Sequence, residues 1–114
     1  MTSLATHLTT FLREYLPRAR ACSVHTCDAY AYSFQLLLCF AAERYGVSPS
    51  ALILEQLDAA LVLAFLEHLE TTRGNSSRTR NARLAAGKAF MHFIEYRVPS
   101  ALEQVRCIMA SSSR

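Results

Sequence analysis

The sequence predicts an all-α protein, and three observations support that fold class. The chain has 114 residues, of which 52% are hydrophobic, and contains only three glycines and three prolines. Apolar residues recur every three or four positions, and no stretch alternates apolar and polar residues for the length of a strand. A single domain built as a bundle of four to five helices is the expected arrangement for this length.

The composition argues against disorder and against a membrane protein. A net charge of +3 beside 52% hydrophobic residues is typical of a folded chain. The longest apolar runs, residues 36–42 and 61–66, are far too short to cross a bilayer. The N-terminus lacks the basic-then-apolar pattern of a signal peptide. We therefore expect a cytoplasmic protein without a membrane partner.

The cysteines and histidines show no spacing of a metal site, and we expect no cofactor. The four cysteines form no CxxC pair, and the histidines complete no zinc spacing. Cys27 and Cys39 fall in apolar surroundings within a predicted helix, so we expect buried thiols that pack as small hydrophobic groups.

The first helix is predicted over residues 4–16. Thr2 or Ser3 can cap its N-terminus, because a hydroxyl accepts a hydrogen bond from an otherwise unpaired backbone N–H. Pro17 is expected to end the helix, since proline lacks the N–H that a helix interior needs. Residues 18–22 then form a connector.

A second, central helix is predicted from the cap Ser23 to about residue 45, where Gly46 is a helix stop. Its apolar residues cover more than one face, which favours packing on several sides. They are Cys27, Tyr30, Phe34, Leu36, Leu37, Leu38, Phe40 and Ala41.

Asp58 is a candidate cap for a third helix over residues 59–72, and Gly74 follows as its stop. The apolar face of this helix consists of Leu61, Val62, Phe65, Leu66 and Leu69. Later in the chain, Pro99 precedes a short fifth helix over residues 101–108. We place the domain boundary at residue 105, with residues 106–114 as a tail or lead-out.

The fourth predicted helix, over residues 78–97, carries the positive charge of the chain. Residues 73–88 contain five basic and no acidic residues, whereas the rest contains seven basic and nine acidic ones. Of the 12 basic residues 11 are arginines, whose planar fork suits phosphate or guanine. We expect the first half of this helix to meet an anionic partner. The second half should anchor the helix in a core. The apolar residues that cluster on one side of the helix are Ala82, Ala86, Phe90, Phe93 and Ile94, and the adjacent apolar strip consists of Leu84, Gly87 and Met91.

Two predicted helix starts share one pattern, with a serine three residues before a threonine. Ser23 precedes Thr26, and Ser76 precedes Thr79. Unpaired N–H groups and the positive end of the helix dipole gather at such a start, which suits a phosphate. The alternative is that both serines are only N-caps. The chain contains no glycine-rich phosphate loop, HExxH or GxSxG motif, and nothing else in it indicates an enzyme.

These segments together resemble the core-binding domain of tyrosine recombinases. This SAM-like N-terminal domain occurs in integrases of the phage type, in Xer-like recombinases and in related transposases. The resemblance covers about residues 4–105. It is carried by Ser23, Thr26, Tyr30, Phe34, Leu37, Phe65, Leu66, Leu69, Thr79, Arg80, Asn81, Arg83, Leu84, Phe90, Phe93 and Ile94.

The resemblance implies a helical bundle that forms half of a clamp on double-stranded DNA at a recombination site. Neighbouring recombinase subunits are the second implied class of partner. Arg83 lies close to the predicted core face, so internal pairing stays open for it. The candidate DNA-binding residues are Ser23, His25, Thr26, Arg78, Thr79, Arg80, Asn81, Arg83 and Lys88.

The family's catalytic domain, with its arginines and tyrosine nucleophile, would begin just past this chain. We therefore expect the chain as given to be non-catalytic, with neither Tyr30 nor Tyr96 as the nucleophile. Gly87 also departs from the family, which usually has a larger apolar residue there. Either another helix approaches closely at Gly87, or selection on this position is relaxed.

A helical protein-interaction module without DNA affinity is the alternative function. Such a module would bind a partner helix through exposed apolar residues. The candidates for that role are Leu36, Met91 and Ile108.

Overall fold

The computed structural model describes residues 3–19 and 23–110. Within these residues the regular structure is helical, apart from an isolated bridge between Ser3 and Ile53. The predicted all-α fold class is therefore confirmed. The chain divides into two compact units, residues 1–54 and 55–114, and each is described by itself.

The first unit opens with a helical segment that continues past Pro17, contrary to the prediction. Helix α1 spans Leu4–Thr10, a π-helical stretch spans Phe11–Tyr15, and α2 spans Leu16–Ala19. Within a regular α-helix, the proline ring would clash with the carbonyl four residues earlier. The wider π turn, closed by the bond from the Leu16 N–H to the Phe11 carbonyl, directly precedes the proline. A local π turn is a known way to continue a helix past such a disruption.

Helix α3 spans Val24–Tyr45 and ends, as predicted, at Gly46 with a φ of 66°. The interior of its apolar stripe is buried, and the buried residues are Ser33, Phe34, Leu37, Ala41 and Ala42. Cys39 is exposed and Cys27 is half-buried, so the prediction of buried thiols is wrong for Cys39. Cys39 lies one turn from the exposed Gln35 and one turn from the exposed Glu43, on the solvent-exposed face of α3.

Phe11 is the centre of the aromatic packing in this unit. Its ring is fully buried and stacks on Tyr15 at 5.6 Å and on Tyr30 at 6.5 Å between centroids. Phe34 meets it edge-on at 5.9 Å. These geometries are those that aromatic pairs prefer, so the π-helical stretch is held to α3 by ring contacts.

In the second unit, α4 spans Ala59–Thr71 and α5 spans Ser77–Arg97. Asp58 caps α4 by accepting a hydrogen bond from the Leu61 N–H at 2.9 Å. Gly74, with a φ of 67°, lies in the turn between the two helices. The five residues predicted as the apolar face of α4 are all buried, namely Leu61, Val62, Phe65, Leu66 and Leu69.

The second half of α5 is anchored as predicted, because Ala86, Phe90, Phe93 and Ile94 are buried. Ala82 is exposed, contrary to the prediction. Leu84 and Met91, from the predicted adjacent strip, are buried, and so is Arg80, which was not expected there. In the first turns of α5, the side that faces the core is therefore the side of Arg80 and Leu84, and not the side of Ala82.

A 3₁₀ turn, Pro99–Ala101, leads from α5 into α6, which spans Leu102–Met109. Val105 and Ile108 are buried on α6, so helical structure extends beyond residue 105. Residues 111–114 of the predicted tail lie outside the described residues, and so do Thr2 and most of the predicted connector. Ser3 acts as the α1 cap, since its hydroxyl accepts from the Thr6 N–H at 3.4 Å.

Replacing Gly87 with alanine should stabilise the protein by about 1 kcal/mol. A Cβ placed on Gly87 would meet no described atom within 4 Å, so nothing approaches closely at this position. Alanine removes the backbone entropy that glycine loses in a helix interior. Chemical denaturation followed by circular dichroism would measure the change. An unchanged or lower midpoint for Gly87→Ala would contradict it.

Candidate nucleic-acid interface

The N-terminus of α5 is built by a serine cap. The Ser76 Oγ accepts a hydrogen bond from the Thr79 N–H at 3.2 Å and donates one to the Thr79 Oγ1 at 3.3 Å. Arg78, in the first turn, is exposed. The first turn therefore combines the positive end of the helix dipole with a guanidinium that faces solvent.

The N-terminus of α3, in the other unit, has the same local geometry. The Ser23 Oγ accepts from the Thr26 N–H at 3.2 Å, and the two hydroxyls lie 3.1 Å apart. His25 and Thr26 are exposed. Both serines are thus N-caps, and the side chains beside each cap face solvent.

Along α5 runs a line of exposed and half-buried residues, which we call the α5 stripe. Successive members are three or four positions apart and therefore share one side of the helix. The stripe consists of Arg78, Asn81, Ala85, Lys88, His92 and Tyr96. Asn81 and Lys88 are half-buried, the other four are exposed, and Tyr96 is 83% exposed.

The α5 stripe combines two cations, an amide, an imidazole and a phenol, with the small Ala85 near its middle. Exposed Ala82 flanks it. The nearest carboxylate on the helix is Glu95, whose Oε2 lies 3.7 Å from the His92 Nδ1. This side of α5 can therefore donate hydrogen bonds to an anionic surface, and its small residues allow that surface to come close.

Arg80 lies where the sequence did not predict it. It is 5% exposed, and its Nε lies 2.7 Å from the Oε1 of Glu70 on α4. Its Nη1 donates a hydrogen bond to the Asn81 Oδ1 at 3.2 Å. The guanidinium is thus engaged inside the second unit, in the space between α4 and α5, and it does not face solvent.

The other candidates divide between the two units. Ser23, His25 and Thr26 lie together at the start of α3. Arg78, Asn81 and Lys88 lie on the α5 stripe, and Thr79 is half-buried beside them. Arg83 is half-buried two turns before the buried Phe90 on the same side of α5, which agrees with its predicted position close to the core face.

Sequence reasoning did not single out Glu70 of α4. It also left His92 and Tyr96 outside the candidate set. The helical spacing of Arg78, Asn81, Lys88, His92 and Tyr96 was available as a signal for the stripe. Nothing in the sequence pointed to the pairing of Glu70 with Arg80.

The described residues contain neither a metal site nor a membrane-spanning helix. No group of three or more histidine, cysteine, aspartate or glutamate residues could hold a metal ion there. None of the described helices has the length and apolar character needed to cross a membrane.

Comparison with known proteins identifies the class. The profile of the family described as phage integrase, N-terminal SAM-like domain, matches residues 8–97. This chain therefore belongs to that family, as the sequence motifs indicated. No solved structure matches the chain.

Two curated proteins of Sinorhizobium fredii are similar over most of this chain. The protein named "Putative integrase/recombinase y4rC" is 38% identical over 112 residues, which cover 98% of this chain and 34% of the relative. The one named "Putative integrase/recombinase y4rD" is 41% identical over 98 residues, which cover 86% of this chain and 35% of the relative. The chain thus spans about a third of the length of these relatives.

Proposed function

We propose that this chain is the core-binding domain of a tyrosine-type recombinase, integrase or transposase, and that it binds double-stranded DNA without performing chemistry itself. The observation that carries the proposal is the α5 stripe. It presents cationic and polar side chains along one side of the helix in a family of integrase N-terminal domains.

The dimensions and chemistry of the α5 stripe suit the major groove of DNA. The groove is about 12 Å wide and admits an α-helix. Arg78 and Lys88 would contact phosphates, which supply most of the affinity. Asn81 and His92 carry the donors and acceptors that read base edges. Ala85 lets the backbone of α5 approach the bases.

The start of α3 is the second proposed contact. Backbone N–H groups of a helix N-terminus bind phosphate readily, because they combine free donors with the positive end of the dipole. The exposed Thr26 hydroxyl and His25 imidazole would add donors to the same phosphate. These contacts would position the protein on the backbone without reading sequence.

The recombination activity itself belongs to this proposal. The relatives are named for integration and recombination, and this domain would hold their site DNA while other parts of the protein cut and join it. Neighbouring subunits of a recombinase assembly are the second proposed partner, and the cytoplasm is the proposed location. Residues 1–105 would form the DNA-binding domain, and the remainder would lead out of it.

The alternative, a protein-interaction module, depends on three apolar residues that were expected to be exposed. Met91 and Ile108 are each 1% exposed, and Leu36 is half-buried. Met91 and Ile108 are therefore not available to a partner helix.

A salt series tests the proposal through Arg78→Ala. Fluorescence anisotropy with a 30-bp duplex should show affinity that falls steeply with salt, because bound cations release counterions from DNA. Removing one phosphate contact should reduce the slope of log affinity against log salt by about 1.

Arg106→Ala is the matched control, since Arg106 is exposed on α6 and outside the α5 stripe. It should leave the slope unchanged. Wild-type protein that does not bind duplex DNA at low salt would refute the proposed function. An equal loss of slope in both variants would show that the charge acts without the α5 stripe.

A further inference from the structure

We infer that Glu70 is a positioning residue for DNA recognition, which acts through buried Arg80 to fix the orientation of the Asn81 amide on the α5 stripe. The inference rests on the proposed function, and it gives a role to a carboxylate that lies on a different helix from the proposed interface.

The first step is the ion pair between α4 and α5. The Arg80 Nε and the Glu70 Oε1 are 2.7 Å apart, and the two side chains are 6% and 20% exposed. Coulomb attraction is much stronger in such surroundings than in water. Glu70 therefore holds the guanidinium plane in one place inside the second unit.

The second step is the hydrogen bond from the Arg80 Nη1 to the Asn81 Oδ1 at 3.2 Å. Arginine has only donors, so the amide oxygen of Asn81, not its NH₂ group, must face the guanidinium. Because the guanidinium is planar and rigid, its Nε and Nη1 move together, so the contact of Glu70 at Nε restrains Nη1 as well. The position of Glu70 thus sets the orientation of the amide one residue further along α5.

The third step concerns what an amide held in this way can read. With the oxygen directed to Arg80, the Asn81 NH₂ group lies on the opposite side of the amide. An amide donor matches the acceptors of the major groove, which are guanine O6 and N7, adenine N7 and thymine O4. A fixed donor should select bases with these acceptors over cytosine, whose edge offers only a donor. A rotating amide would offer donor and acceptor alternately and would discriminate poorly.

The orientation can be tested without DNA, by ¹⁵N relaxation of the Asn81 side-chain NH₂ group in the full chain. The amide should be rigid in the wild type and clearly more mobile in Glu70→Gln, whose neutral amide holds the guanidinium less firmly. Glu67→Gln is the matched control, because Glu67 is exposed one turn earlier on the same helix. Equal mobility of the Asn81 amide in all three proteins would overturn the inference.

The effect on recognition can be tested by selection from a pool of random-sequence duplexes. At the position that Asn81 reads, the wild type should disfavour cytosine about tenfold, because cytosine presents only a donor in the major groove. Glu70→Gln and Arg80→Lys should lose that preference, while the salt slope should stay unchanged because the phosphate contacts remain. A merely structural role for Glu70 would lower all binding in parallel.

The outcomes separate this inference from the proposed function. Wild-type protein without affinity for the pool would refute both. Wild-type protein that binds with no base preference, or Glu70→Gln with an intact preference, would refute the inference alone. If the single variants fail to fold, Glu70→Leu/Arg80→Met removes the charges and fills the same space with apolar groups. This double variant should bind the pool and show no preference at that position, and a preserved preference would again refute the inference.

Discussion

Replacing Glu70 with alanine should lower the free energy of unfolding by about 3–5 kcal/mol. The change leaves the guanidinium of Arg80 in a site where its side chain is 6% exposed, without the carboxylate that lies 2.7 Å from its Nε. A buried charge that loses its partner costs more than the pair contributed, because its desolvation is no longer offset. Urea denaturation followed by circular dichroism would measure the loss.

Two variants make this result interpretable. Glu67→Ala removes an exposed carboxylate from the same helix and should change stability by less than about 0.5 kcal/mol. Glu70→Leu/Arg80→Met should recover most of the lost stability, since replacing both charges leaves neither unpaired. Equal destabilisation by Glu70→Ala and Glu67→Ala would contradict the importance of the buried pair.

Reversing the charge at the two cationic positions of the α5 stripe should nearly abolish DNA binding. Arg78→Glu/Lys88→Glu replaces two attractions to phosphate with two repulsions, and we expect affinity to fall about 100-fold at ~0.1 M salt. Arg78 is exposed, Lys88 is half-buried, and neither is among the buried residues of α5, so the fold should be retained. Anisotropy with a 30-bp duplex would measure affinity, and circular dichroism would confirm the helix content.

The matched control is Arg44→Glu/Arg106→Glu, which changes the net charge by the same amount. Arg44 on α3 and Arg106 on α6 are both exposed and lie outside the proposed contacts. The control should keep most of the affinity. If both double variants lost affinity equally, net charge alone would explain binding, and the α5 stripe would have no special role.

Periodicity was sufficient to predict much of this fold. The buried face of α4 was predicted completely, because its apolar residues recur at one spacing and Asp58 marks its start. The solvent-exposed face of α3 was harder to predict. Its apolar residues surround the helix, so the pattern did not show that Cys39 faces solvent.

The buried position of Arg80 at the candidate site was missed for a different reason. Arg80 has the charge and position expected of a DNA contact, and only the fold shows that α4 brings a carboxylate to it. A pattern within one helix reports which residues share a side, but not what the neighbouring helix places opposite. Pro17 shows the same limit for the backbone, since the π turn that precedes it has no sequence signature.

The buried pair also changes how the charge of this chain should be counted. Residues 73–88 carry five basic residues, yet the guanidinium of Arg80 is compensated internally by Glu70. At most four cations of that segment can therefore displace ions from a polyanion. The number of counterions released on binding should reflect this smaller number of cations. The formal charge of the sequence would overstate the electrostatic attraction to a DNA duplex.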